Sequence, residues 1–325
     1  MSRDAAAMQE VLRGVLPGGE RITAIAPLTT GFSNDTYRIE GLDLILRLPP
    51  SAGAMLDGHG VIAQARIYAD LGGVAGGPPV PQIVFVGEDA AVLGAPFFAM
   101  ECVAGEAIHD TDLQAWFTGA SDAERGEYNR QWVSAFAGLA RLGPLPFLGA
   151  PVTPEDDARM WQAFAKAADC PELVALFDRL LAVPAPLSGP PAIVHGDTKL
   201  SNLMWHEGKV SAVLDWEMAL NGEPLADIGY MLYGFESAHH GPTTPQRQPG
   251  MLTRDEVIAL WEQVSGRSAA GVFWHEIAQI GKISAIIAEG VNMYATGRST
   301  DPKLAYFIKN RDYFIGVMRV MLEDL

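Results

Sequence analysis

Residues 193–227 read IVHGDTKLSNLMWHEGKVSAVLDWEMALNGEPLAD. The apolar run Ala192-Ile193-Val194 gives way to a polar loop, His195 to Asn202. Two more apolar runs follow, Leu203 to Trp205 and Val210 to Leu214, on either side of the polar turn His206-Glu207-Gly208-Lys209. That alternation is a hairpin signal. Asp215 stands at the exit of the second strand, and the hairpin folds it back towards the loop that carries Asp197 and Asn202. Two carboxylates and an amide oxygen then face one point. Such oxygen donors suit magnesium, which keeps several waters and is usually held by one or two carboxylates plus substrate phosphates.

The spacing carries more than the composition of the loop does. An Asp followed five positions later by an Asn, with a second Asp after the next strands, is the arrangement of kinase catalytic loops. The segments HGDTKLSN, VLDWE and GEPLADIGY resemble the aminoglycoside phosphotransferase-like kinase family. In wording they are most like the kinase-like domain fused to some acyl-CoA dehydrogenases. The resemblance implies an α+β, bilobal protein-kinase-like fold. A small antiparallel-sheet lobe over residues 1–104 would bind nucleotide, with a hinge near 100–104. A mostly helical lobe over 105–325 would hold the catalytic loop and the substrate site.

The implied reaction moves the γ-phosphoryl group of ATP, or GTP, to a hydroxyl of a small metabolite such as a hydroxyacyl-CoA or an aminoglycoside. Asp197 would orient that hydroxyl and accept its proton. Lys199 would neutralise charge on the transferred group, and Asn202 and Asp215 would hold Mg2+. His195 is read as fixing the shape of the loop, and Asp227 as bracing it. The reading that competes with an enzyme is an inactive nucleotide-binding or regulatory module of the same fold.

The N-terminal third supplies matching parts. Residues 29–36, TTGFSNDT, form a small-residue turn between two strands, and such turns can lay backbone N–H groups over phosphates. By resemblance this is the nucleotide flap, with Ser33 and Asn34 approaching the phosphates. The third strand, Leu42 to Leu48, carries Arg47 where kinases carry a phosphate-binding Lys, and Arg keeps the charge while changing the geometry. On the next helix, near 61–71, alignment puts Gln64 where a Glu is expected, which leaves the usual cation–carboxylate pair in question. Met100, Glu101 and Val103 fall on the hinge. By resemblance the Glu101 carbonyl and the Val103 N–H would contact the base, with Met100 behind it.

Beyond residue 105 the pattern turns helical. Helices are expected over 122–142, 155–168, 171–181, 273–294 and 304–322, and Thr253 with Glu256 forms a capping box for a further one. The Pro-containing segment 236–250 reads equally as a substrate lid or as a solvated loop. His239-His240 lacks a third ligand at useful spacing for a metal.

Composition bounds the remaining classes. With 325 residues and 49% hydrophobic content the chain is globular. A net charge of −16 argues against a nucleic-acid surface, which needs clustered Lys and Arg. Two cysteines, Cys102 and Cys170, make neither a disulfide framework nor a metal cluster. The N-terminus lacks the apolar core of a signal peptide, and the longest apolar candidate, near 277–291, is broken by Lys282 and Glu289. A cytoplasmic location with no membrane partner is the expectation.

Overall fold

The computed structural model describes residues 3–28, 34–51, 60–109, 113–235, 237–241, 247–299 and 304–325, without the side chains of 305 and 306. Helix α1 (Ala5–Val15) is opened by Asp4, whose carboxylate accepts from the Ala6 and Ala7 N–H groups. Then come strands β1 (Ala24–Leu28), β2 (Asp35–Glu40) and β3 (Leu44–Leu48), helix α2 (Val61–Gly72), strand β4 (Ile83–Gly87), the one-turn helix α3 (Ala90–Leu93) and strand β5 (Phe97–Glu101). The strands form one antiparallel sheet in the order β1-β2-β3-β5-β4. The first strand starts at Ala24, shortly after Gly19–Arg21 close a 3-10 turn.

Strand alternation explains how the sheet is covered. Successive side chains point to opposite faces. Leu44, Leu46, Leu48, Phe97 and Ala99 share a core with Met8 and Leu12 of α1 and with Leu16 just after it. The intervening Ile45, Phe98 and Met100 join a second core with Val61, Ala65, Tyr68 and Leu71 of α2. Arg47, two residues from Ile45, therefore faces α2.

The rest of the chain is mainly helical. It runs through β6 (Glu106–Ala107), α4 (Ala115–Thr118), α5 (Asp122–Ala137), α6 (Pro154–Ala167) and α7 (Pro171–Leu181). Strands β7 (Ala192–Val194), β8 (Leu203–His206), β9 (Lys209–Val213) and β10 (Leu220–Gly222) follow. Helices α8 (Leu225–Leu232), α9 (Arg254–Ser265), α10 (Val272–Ala295) and α11 (Leu304–Met321) complete it. Thr253 and Glu256 make the expected capping box on α9, and Ser121 and Glu124 make another on α5. The helix expected over 122–142 ends as an α-helix at Ala137 and tightens into a 3-10 turn over Gly138–Arg141.

The hairpin read from the sequence is β8–β9, and β6 adds to its edge. Strand β7 pairs antiparallel with β10. β6 and β10 span two and three residues, too short to leave a periodic signal. A third core joins α6, α7, α8, α10 and α11 around Trp161, Phe177, Tyr230, Trp274, Ile277 and Met318. At Gly229 an added Cβ would lie 2.9 Å from the backbone N of Glu276, so only glycine lets α8 approach α10 this closely. The architecture is the bilobal α+β fold that the sequence implied. Among the described residues, no helix is long and apolar enough to cross a membrane.

Candidate active site

The loop after β7 is held from behind. Asp227, in the first turn of α8, accepts the His195 N–H at Oδ2 and the Gly196 N–H at Oδ1, each at 2.9 Å. Its own carbonyl accepts the Thr198 hydroxyl at 2.9 Å. Gly196 has φ +79°, and a Cβ there would lie 2.5 Å from the Met218 carbonyl oxygen, so the turn requires glycine. Helix α5 adds a strut, with the Trp132 indole N–H donating to the Thr198 carbonyl at 2.9 Å.

His195 is fully buried between Phe136 and Trp216, with ring centroids at 4.9 and 4.5 Å. Its Nε2 lies 2.9 Å from the Leu214 carbonyl oxygen, which can only accept, so Nε2 carries the proton. Nδ1 is then the acceptor for the Asp197 N–H at 3.2 Å. One neutral ring thus ties the loop to the end of β9, which is a shape-holding arrangement. Burial pushes the His195 pKa down. Burial also pushes up the Asp227 carboxyl, to about 6, against the pull of its two backbone hydrogen bonds and Lys282.

Asp197 is buried at the turn of this loop. Its Oδ2 accepts from the Asn202 amide at 2.8 Å and lies 3.1 Å from the Lys199 ammonium. The same amide also donates to the Asp197 carbonyl at 2.6 Å. Burial works to raise the Asp197 pKa, but Lys199, with hydrogen bonds from Tyr230 and Asn202, outweighs it and holds the carboxyl below the ordinary range. The other carboxylate oxygen, Oδ1, is buried and has no hydrogen-bond partner among the described residues. Both of these Asn202 contacts use its nitrogen, so its amide oxygen takes no part in them.

Asp215 adopts a left-handed conformation, φ 65° and ψ 58°, at the end of the hairpin. Asp tolerates this region better than most residues. The Leu214 N–H donates to the Asn202 carbonyl at 2.8 Å, which brings the two expected metal ligands onto adjoining backbone. Arg47 reaches across from β3 and donates from Nη2 to Asp215 Oδ1 at 3.1 Å. Burial disfavours the Arg47 cation, yet Asp215, Tyr68 and Glu217 together raise its pKa.

From α2, the group that meets Arg47 is Tyr68 rather than Gln64. Gln64 is buried one turn earlier on the same helix. The Tyr68 hydroxyl accepts the Asp215 N–H at 3.0 Å and hydrogen-bonds Arg47. Burial lifts its pKa to about 12, so it stays a neutral phenol that accepts from both. The cation expected to pair with a helix carboxylate therefore pairs with Asp215 and a phenol.

The other expected site residues are placed as follows. Asn34 donates to Glu217 Oε2 at 3.3 Å, a second bond from the sheet to the segment after Asp215. Ser33 lies outside the described residues, as do 236 and 242–246 of the segment read as lid or loop. Met100 is buried on the α2 face of the sheet, where core packing accounts for it. Glu101 ends β5, and Cys102 donates its N–H to the Asp43 carbonyl at 2.9 Å. Val103 follows in the connection to β6. Tyr68, Tyr230, Trp132, Glu217 and Lys282 were not singled out as site residues. For Lys282 a signal existed, since a buried charge interrupts an apolar helix.

A profile of the phosphotransferase enzyme family, APH, matches residues 24–263. The chain belongs to that family. Mouse acyl-CoA dehydrogenase family member 10 is 30% identical over 236 residues, covering 69% of this chain and 22% of that protein. The chain thus spans about a fifth of that relative's length. A structure from Ralstonia eutropha assigned to the aminoglycoside phosphotransferases has a TM-score of 0.79 at 22% identity, covering 99% of each chain. The ternary complex of streptomycin, ATP and APH(2")-IIa has a TM-score of 0.58 at 13% identity, covering 97% of this chain and 99% of that one. At these identities the two structures show a shared fold.

The buried histidines make a pH prediction. His275 on α10 is buried, its Nε2 donates to the Pro186 carbonyl at 2.8 Å, and burial lowers its pKa. The unfolded chain takes up this proton near pH 6.5 while the folded chain resists it. Its stabilisation is therefore complete above pH 6.5 and lost as pH falls through the lower folded value. His275→Gln keeps a donor and does not titrate. Calorimetry between pH 7 and 5 should show the wild type losing more stability than His275→Gln, by at most about 1.4 kcal/mol per pH unit.

Proposed function

We propose that this chain is a small-molecule kinase, transferring the γ-phosphoryl group of ATP, or GTP, to a hydroxyl. The observation that carries the reading is Asp197: a buried carboxylate clamped on one oxygen by Asn202 and Lys199, with the other oxygen unpartnered among the described residues. A carboxylate kept ionised in this way suits a group that aligns an alcohol and takes its proton as the phosphoryl group arrives.

The remaining roles belong to the same proposal. Lys199 meets the charge of the transferred group from the side of Asp197. The Asn202 amide oxygen and the Asp215 carboxylate fit Mg2+, because both are oxygen donors on adjoining backbone. When bound, that ion neutralises the phosphates and orients them. Arg47, held by Asp215 and Tyr68, offers its guanidinium to phosphate oxygens. By the family resemblance, Asn34 and Ser33 would belong to the flap, and Met100, Glu101 and Val103 to a base-binding hinge near 100–104 that would divide residues 1–104 from 105–325. Catalysis on this plan is positioning and charge neutralisation.

Acceptor classes to test are hydroxyacyl-CoA thioesters, after the relatives' names, and aminoglycosides, after the structural neighbours. Purified protein with ATP and Mg2+ should release ADP when one class is added. Turnover on one class names the acceptor. Nucleotide binding without turnover on any alcohol would favour the inactive module, and no nucleotide binding at all would sink the kinase reading.

Asp215→Asn tests the cation site. Asn tolerates the left-handed backbone, so the fold should survive, with a stability loss of about 1 kcal/mol for a partly exposed ion pair. The Mg2+ concentration needed for half-maximal ADP release should rise about 10-fold or more. An unchanged magnesium requirement would remove Asp215 from the ligand set.

A further inference from the structure

Lys282 sits in the middle of α10, within the run 277–291, where the only other charged residue is Glu289. Its side chain is buried, and the ammonium donates to the Gly196 carbonyl oxygen. That carbonyl belongs to the peptide unit whose N–H is the Asp197 N–H, which donates to His195 Nδ1. The peptide plane leading into Asp197 is therefore gripped at both ends, by Lys282 at oxygen and by His195 at nitrogen. The Asp227 carboxylate grips the two preceding N–H groups.

The surroundings offset part of the cost of burying an ammonium at this point. The rings of Trp161 and Tyr230 each lie 5.4 Å from the ammonium nitrogen. Tyr230 also hydrogen-bonds Asp197, so the lysine and the carboxylate share a neighbour. Burial pushes the Lys282 pKa down, and Asp157, Asp197 and Asp227 pull against that shift. A lysine is buried in this way only where partners offset that cost. Beside it lies a cavity bordered by Lys282, Gly196, Asp157, His275, Trp274 and Gln279. The Gln279 Oε1 atom in its wall is buried without a hydrogen-bond partner among the described residues.

We infer that Lys282 is a positioning residue for phosphoryl transfer: by fixing the Gly196–Asp197 peptide plane from α10, it aims the Asp197 carboxylate at the acceptor hydroxyl. The inference rests on the reading of Asp197 given above. Lys282 touches neither substrate nor nucleotide in this scheme. It acts through the backbone of the residue that does.

Two variants and two readouts test this. Lys282→Met keeps much of the side-chain volume and removes the donor and the charge. Lys282→Ala opens space continuous with the cavity. In both, kcat should fall about 10- to 100-fold, the usual size of an effect transmitted through a supporting contact, while KM for the nucleotide stays unchanged. Added ethylammonium should restore turnover to Lys282→Ala and not to Lys282→Met or Asp197→Asn. A residue that merely supports the fold would show no such rescue. Amide hydrogen exchange over residues 195–202 should quicken in Lys282→Met while the rest of the chain stays protected.

A Lys282→Met protein with wild-type kcat and unchanged loop exchange would overturn the inference. So would loss of activity in Lys282→Ala without amine rescue, if loop exchange is unchanged in Lys282→Met. Absence of turnover in the wild type on every acceptor would count against the kinase reading. In that case loop exchange alone decides whether Lys282 holds the peptide plane.

Discussion

Asp197→Asn is expected to lower acceptor-dependent ADP release by about 100- to 10,000-fold, the span covered by loss of a positioned general base. The reason is local. Asn keeps the shape of the side chain, and its amide oxygen can still accept from Asn202, so the loop should hold its form. It cannot carry negative charge or take the proton of an alcohol. Lys199, now 3.1 Å from the Asp197 carboxylate, would face a neutral group. Nucleotide affinity should stay near that of the wild type, because the groups proposed to meet the nucleotide, Arg47 and Asp215 among them, are left unchanged. Kinetics with saturating acceptor, alongside nucleotide binding by calorimetry, check both halves. A variant that turned over at the wild-type rate would remove Asp197 from the chemistry.

Asp227→Ala is expected to act through the fold. The substitution leaves the His195 and Gly196 N–H groups without their acceptor in a fully buried setting. Each unsatisfied buried group costs about 1–3 kcal/mol, so the two together cost about 2–6 kcal/mol. That is a large part of the stability of an ordinary domain. It also leaves buried Lys282 with one carboxylate fewer nearby. Chemical denaturation should show the loss directly. Asp227→Asn should be milder, because its amide oxygen can serve one N–H while its NH2 group confronts the other. If Asp227→Ala proved as stable as the wild type, the brace assigned to Asp227 would be wrong.

These two predictions draw on different kinds of information in the chain. Asp197, Asn202 and Asp215 were legible in order because a short loop and one tight hairpin connect them. Over so few residues, strand alternation and turn chemistry leave little choice of path. The Thr253–Glu256 cap and the longer helices were legible for the same reason, since they depend on spacing within one element. Asp227 was legible only through the wording of a known family.

The partners of the site were not legible. Arg47 lies 168 positions from Asp215, and Lys282 lies 86 from Gly196. Nothing local to either lysine or arginine says which carboxylate or carbonyl it will meet. Gln64 and Tyr68 sit one turn apart on the same helix face, so the sequence could not say which of them would face Arg47. That outcome follows from how α2 lies on the sheet. β6 and β10 are too short to announce themselves and exist because β8 and β7 offer them free edges.

By itself, then, the sequence pointed through a family resemblance to the bilobal α+β class, and its spacing set Asp197, Asn202 and Asp215 along one short loop and one hairpin. The tertiary structure decided which distant groups hold that loop and its charges: Tyr68 and Arg47 on Asp215, Asp227 and Lys282 on the turn before Asp197. The physical reason is range. Hydrogen-bonding periodicity and turn preferences act between neighbours in the chain, whereas burial of a charge is tolerated only where packing brings a partner from elsewhere.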